Sequence, residues 1–180
     1  MQTIFLVGFM GSGKTYWGKK ISGALRWDFF DTDAQIEKLS GKSINDLFLT
    51  GGEGKFREVE QYVLRNLPLK EKNIVSCGGG TPCFSDNMEW MKKNGRVIYL
   101  RVGKEILLSR LLKNKNNKPL LFSKTDEEVT AYVDEALQTR MPYYLQADYA
   151  LEVDENAQQE DITEILKKII IESTKINPGD

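Results

Sequence analysis

Apolar residues along this chain fall into short unbroken runs, separated by longer stretches where they recur every three or four positions. The runs "TIFLVG" (3–8), "WDFF" (27–30), "NIVSCGGG" (73–80), "RVIYLRV" (96–102) and "YALEV" (149–153) predict buried strands. Between the first two, residues 14–26 carry Trp17, Ile21 and Leu25 at helical spacing. A helix follows through 34–41 and stops at Gly41, and 43–67 predicts two helices broken at Gly51, Gly52 and Gly54. Residues 85–95 predict a short helix with Ser85 as its N-cap and Gly95 past its end. Further helices are expected over 104–113, over 125–147 (which must accommodate Pro142) and over 159–174. The stretch 114–124, "NKNNKPLLFSK", is polar, contains a proline and predicts a mobile loop.

Strands alternating with helices imply α/β architecture around a mainly parallel sheet. No repeat or linker divides the chain, so a single domain over 1–180 is expected, with 43–67 and 114–124 as insertions over one edge. Ligands in such sheets bind beyond the strand C-termini. Four notable features fall there: "GFMGSGKT" after the first strand, "DTD" after the second, "CGGG" after the third, and Arg140 on the approach to the fifth.

Composition narrows the chemistry. The 25 basic and 26 acidic side chains nearly cancel, which argues against a nucleic-acid binder working by bulk electrostatics. No apolar run approaches a membrane span, and the run at Ile4 to Gly8 is too short for a signal peptide, so a cytoplasmic protein is expected. Histidine is absent, so acid–base work must fall to carboxylates, lysine, tyrosine or cysteine. Cys77 and Cys83 alone cannot complete a zinc site and read as free thiols of a reducing compartment.

Gly8, Gly13, Lys14 and Thr15 match G-x-x-x-x-G-K-[ST] between a strand and a helix. Glycines let consecutive backbone N–H groups converge on an anion, and the helix start adds its positive dipole end. Gly11, Ser12 and Gly13 would cradle phosphates, Lys14 would reach the β- and γ-phosphates of ATP, and the Thr15 hydroxyl would ligate Mg²⁺. Such a loop fixes the nucleotide but not the acceptor. A GTPase should carry N-K-x-D, and "NKPL" (117–120) ends in leucine, which cannot accept from guanine. No appendage suggests a motor, so a small-molecule kinase is favoured.

Asp31 and Asp33 in "DTD" can divide two roles, one beside the metal and one at the acceptor hydroxyl. The plainer reading of "DTD" is a helix N-cap. "FREVE" (56–60) sets Arg57 and Glu60 three positions apart, which is more often a surface ion pair. Arg140 could simply complement a helix C-terminus. Beside the open backbone of Gly78, Gly79 and Gly80, however, the two arginines and a carboxylate suit an acceptor bearing a carboxylate and hydroxyls.

At these residues the sequence resembles the shikimate kinase family. "GFMGSGKT", "DTD", "FREVE", "CGGG", a "PLL" lid and R-x-P-x-Y-x-x-A-D (140–148) occur in the family's order and approximate spacing. The resemblance implies a P-loop three-layer sandwich with a five-stranded parallel sheet in order 2-3-1-4-5. It also implies a helical substrate-binding region near 31–65 and a lid near 113–124. It implies ATP- and Mg²⁺-dependent phosphorylation of the 3-hydroxyl of shikimate, in chorismate and aromatic amino-acid biosynthesis. By position, Asp33, Arg57, Gly79, Gly80 and Arg140 would hold shikimate, with Gly78 completing the glycine turn and Asp33 also meeting the reacting hydroxyl. Arg110 would stack on adenine, and Asp31 and Ser76 would sit in the metal's water shell. The sequence departs from the family at the lid, where Lys118 replaces an arginine. Lys118 is expected to touch nucleotide phosphates and neutralise transferring charge, without arginine's planar fork. A monomer is expected, since no exposed apolar stripe demands a partner. Another kinase of the same fold, for gluconate or a nucleoside monophosphate, is the alternative.

Overall fold

The computed structural model describes residues 2–115, 120–154 and 159–175. Five strands, β1 (Gln2–Val7), β2 (Asp28–Asp31), β3 (Lys72–Ser76), β4 (Arg96–Val102) and β5 (Tyr149–Val153), form one sheet in the order β2-β3-β1-β4-β5. All pairings are parallel, with Ile4 opposite Ile74, Ile98 opposite Tyr149, and both Leu6 and Asp31 opposite Ser76. That register aligns the C-terminal ends of β2 and β3 with β1. The strand order reverses at β1, which opens a crevice above its tip.

The strands are apolar because both faces of the sheet are covered. Phe5, Leu6, Val7, Ile74, Val75, Ile98 and Leu100 are fully buried and form the core with residues from the surrounding helices. Those helices are α1 (Lys14–Leu25), α2 (Thr32–Ser40), α3 (Ile44–Arg65), α4 (Asn87–Asn94), α5 (Lys104–Lys113), α6 (Asp126–Tyr144) and α7 (Gln159–Lys175). A 3-10 turn, Thr81–Cys83, follows β3. A smaller cluster, Ile36, Phe56 and Val63, ties α2 to α3 at one edge of the domain.

Several local expectations need correction. The two helices expected within 43–67 are present as the halves of α3 (Ile44–Arg65), but the break falls at Gly52 alone (φ 70°, ψ 177°), while Gly51 and Gly54 stay helical. Ser85 does not cap α4: it takes φ 51°, and Asp86 precedes the helix without a side-chain cap. Asp31 is the last residue of β2 rather than a residue beyond it, and α2 begins at Thr32. Helix α6 starts from a capping box on Thr125 and Glu128 and ends at Tyr144, with Pro142 inside its last turn. Lys118 lies outside the described residues, so the lid is represented by residues 113–115 and 120–124. Among these, Leu121 is buried in the core while Phe122 is exposed.

Candidate active site

The loop after β1 closes on itself tightly. Gly8 (φ 143°) and Gly13 (φ 91°) adopt backbone conformations that favour glycine, and a Cβ at Gly8 would lie 2.7 Å from the Leu100 carbonyl oxygen. Gly13 is the N-cap of α1, so the first N–H groups of that helix open onto the loop. Lys14 is 8% exposed and donates from Nζ to the carbonyls of Gly8 (2.8 Å) and Phe9 (2.9 Å). Its ammonium is thus held across the concave side of the loop, where an anion would meet it. Arg110 donates to the Gly11 carbonyl at 3.1 Å from α5. Ser12 is turned inward. Its side chain is buried, its Oγ lacks a hydrogen-bond partner, and its backbone N–H is already given to Phe9.

The register of β2 and β3 builds an oxygen cluster beside this loop. Thr15 Oγ1 donates to Asp31 Oδ2 at 2.7 Å and lies 3.3 Å from Ser76 Oγ. Asp31 Oδ1 accepts from the N–H groups of Asp33 (3.1 Å) and Ala34 (3.3 Å). The cap reading of "DTD" holds, since one oxygen of Asp31 caps α2, and the other oxygen accepts from Thr15. The donor set is all oxygen, which fits a hard divalent cation such as Mg²⁺. Among the described residues no group of three or more acidic, histidine or cysteine side chains could cage an ion. An ion here would therefore be shared with phosphate oxygens.

Two cavities open along the strand tips. One, of about 520 Å³, is lined by Gly11, Gly13, Lys14, Thr15, Asp31, Ser76 and Arg110. The other, of about 410 Å³, is lined by Arg57, Glu60, Gly80, Arg140 and Leu120, with Ile44, Phe48 and Phe56 as an apolar wall. Met10, Asp33, Gly78 and Gly79 line both. Asp33 is thus at the junction of the cavity beside the glycine loop and a compartment with two guanidinium groups.

Arg57 is tightly positioned. Its Nη1 donates to Glu60 at 2.8 Å, its Nη2 to Glu53 at 3.0 Å, and the guanidinium lies 3.8 Å from the Phe84 ring centroid. Glu60 is 1% exposed, so the Arg57–Glu60 pair is buried rather than the surface pair its spacing suggested. A Cβ on Gly80 would stand 2.7 Å from Arg57, which explains the glycine there. Arg140 reaches the same compartment from α6, 5.5 Å from the Phe9 ring centroid and 3.4 Å from the Tyr132 hydroxyl. Cys77 is fully buried and burial pushes its thiol far above the usual range. Burial raises Cys83 to about 11, against the pull of Arg140 and Arg57. Neither thiol is a nucleophile at neutral pH.

Sequence reasoning included Tyr144 only as a motif position and missed its contact, the hydroxyl donating to the Gly79 carbonyl at 2.6 Å; it missed Thr81, which donates to Glu60 at 2.7 Å, altogether. It also missed the apolar wall. The spacing of Ile44, Phe48 and Phe56 on α3 was the available signal, but apolar residues on a helix usually mean core.

The shikimate kinase family model matches residues 10–170. A shikimate kinase from Phocaeicola vulgatus is 43% identical over 155 residues, 86% of this chain and 89% of that one. The structure of shikimate kinase from Bacteroides thetaiotaomicron superposes with a TM-score of 0.88 at 37% identity, covering 94% of this chain and 98% of that one. Shikimate kinase from Acinetobacter baumannii, solved in complex with shikimate, gives a TM-score of 0.86 at 32% identity, covering 98% and 96%.

Proposed function

The chain belongs to the shikimate kinase family, and from that premise we propose that it transfers the γ-phosphoryl group of ATP to the 3-hydroxyl of shikimate. The products are shikimate 3-phosphate and ADP, on the route to chorismate and the aromatic amino acids. The observation that carries the reading is the junction at Asp33. A carboxylate there faces both a P-loop cavity and a compartment holding Arg57 and Arg140.

The roles divide as follows. Backbone N–H groups around Gly11 and Gly13, the start of α1 and Lys14 grip the phosphates of ATP. Arg110, at the lip of that cavity, packs against adenine. Arg57 and Arg140 clasp the shikimate carboxylate, and the N–H groups of Gly79 and Gly80 face its hydroxyls. Asp33 accepts a hydrogen bond from the 3-hydroxyl and aims its oxygen at the γ-phosphorus. As the new P–O bond forms and ADP departs, the hydroxyl proton passes to Asp33. Thr15, with Asp31 and Ser76 through water, would hold Mg²⁺, which neutralises phosphate charge when bound. Lys118 supplies further charge from the lid, and Leu120 closes the acceptor compartment against water. Catalysis is then mostly positioning and electrostatics.

The protein acts as a cytoplasmic monomer on this reading. Among the described residues no helix is long and apolar enough to cross a membrane. A gluconate or nucleoside-monophosphate kinase would need a polyol or nucleobase site, whereas paired guanidiniums suit a small carboxylate. An ADP-release assay comparing shikimate, gluconate and AMP tests this: turnover is expected with shikimate alone, and turnover with AMP or gluconate but not shikimate would overturn it.

A further inference from the structure

Thr81 lies outside both cavities and is fully buried, so it cannot touch a ligand. It is nevertheless bonded in three directions at the edge of the acceptor compartment. Its N–H donates to the Gly78 carbonyl at 3.1 Å, closing the glycine turn. Its carbonyl accepts from Asn87 Nδ2 at 3.0 Å, which anchors it to α4. Its hydroxyl donates to Glu60 Oε1 at 2.7 Å, while Glu60 Oε2 accepts from Arg57 at 2.8 Å.

The carboxylate of Glu60 is therefore shared, with one oxygen on the turn and one on the guanidinium. A buried carboxylate held on one side only is free to rotate and is poorly solvated. Held on both sides it is a rigid strut. Gly78 shows how closely the parts meet: a Cβ there would stand 2.7 Å from Asp33 Oδ1 and 3.0 Å from both Glu60 Oε1 and Thr81 Oγ1. Thr81 thus joins the backbone amides that face the acceptor hydroxyls to the guanidinium that faces its carboxylate.

We propose that Thr81 is a positioning residue for acceptor recognition, acting through Glu60 to fix Arg57 in register with the turn Gly78–Gly80. This rests on the acceptor reading above. Selectivity for a carboxylate-bearing acceptor then depends on a hydroxyl that the acceptor never meets. Losing one hydrogen bond to a buried charged group commonly costs roughly tenfold in the property it supports.

The test compares shikimate with its neutral methyl ester in the wild type, Thr81→Val and Thr81→Ser, reading kcat and KM for each acceptor and KM for ATP. Wild-type turnover of shikimate checks the underlying reading by itself. In Thr81→Val, KM for shikimate should rise about tenfold while KM for ATP stays unchanged and the methyl ester is scarcely affected, so the preference for the carboxylate shrinks. Thr81→Ser, which keeps the hydroxyl, should restore that preference. Equal losses on shikimate and ester, loss shared with ATP, or a full preference retained in Thr81→Val would each overturn the proposal. Thermal melts accompany each variant, and where valine does not yield folded protein, Thr81→Ala makes the same comparison with less bulk.

Discussion

Replacing Gly80 by alanine tests the acceptor grip with little disturbance of the backbone. Gly80 sits at φ −91°, ψ −17°, a conformation alanine adopts freely. The substitution therefore adds no backbone strain and trims the unfolded ensemble, worth about 0.4–1 kcal/mol to the fold. The cost falls on Arg57. A Cβ would stand 2.7 Å from both Nη1 and Nη2, whereas ordinary contact begins at 3.4 Å, so the guanidinium must withdraw by about 0.7 Å. Phe84 stacks on it at 3.8 Å and Glu60 holds Nη1 at 2.8 Å, so withdrawal cannot be free. A shift of that size, to the extent that it runs away from Glu60, lengthens that bond towards about 3.5 Å, beyond useful geometry. Hydrogen bonds to charged groups contribute roughly 1.5–3 kcal/mol, which corresponds to about tenfold to a hundredfold in affinity. Steady-state kinetics of Gly80→Ala should show KM for shikimate raised by that factor, with KM for ATP within about twofold of wild type. The melting temperature should move by only a few degrees. An unchanged KM for shikimate in a folded variant would refute the placement of the acceptor carboxylate at Arg57.

Further outcomes are expected at Tyr144, Cys77 and Lys118. Tyr144→Phe removes the hydroxyl that donates to the Gly79 carbonyl at 2.6 Å; it should cost roughly 0.5–1.5 kcal/mol and lower the melting temperature by about 1–6 °C, and an unchanged melt would contradict that bond. Cys77 has its thiol raised by burial, so it should resist thiol reagents in the folded state and react only on unfolding. The sign of its pH effect is fixed: stability is full below the ordinary thiol value of 9.0 and falls above it, as the unfolded thiol ionises and the folded one does not. Urea midpoints should therefore decline between about pH 8 and 10.5, less steeply in Cys77→Ala, and an identical decline would contradict the assignment. Lys118→Ala should slow turnover by at least about tenfold while Lys118→Arg retains it; normal turnover in the alanine variant would remove the lid lysine from the mechanism.

How much of this was legible in the chain depended on whether the signal was local. The strand–loop–helix at 3–26 could be read because glycines, lysine and threonine at fixed spacing have one common physical purpose. The alternation of elements implied a parallel sheet, but strand order is a long-range property, and 2-3-1-4-5 came only from family resemblance. Asp31 was ambiguous between cap and site for a sound reason, since one oxygen caps α2 while the other turns to Thr15 of the glycine loop. The Arg57–Glu60 spacing suggested a surface pair because burial is set by what packs above it: Phe84, Thr81 and the glycine turn arrive from β3, distant in sequence. Ser85 was misread because serine is a common cap, whereas here it takes a left-handed conformation (φ 51°) and Asp86 holds the N-cap position. Thr81 carries no pattern of its own, and Tyr144, though part of R-x-P-x-Y-x-x-A-D, gave no sign of its partner; both bonds exist only through groups brought together by the fold.

The central claim is that a carboxylate-bearing acceptor lies between Arg57 and Arg140 with its reacting hydroxyl on Asp33, facing the nucleotide. A crystal structure of the protein with ADP and shikimate tests it most directly. The account predicts the shikimate carboxylate within hydrogen-bond distance of both guanidinium groups and the 3-hydroxyl on the Asp33 carboxylate, towards the β-phosphate. Shikimate bound with its carboxylate away from either arginine, or its 3-hydroxyl turned from Asp33, would contradict it.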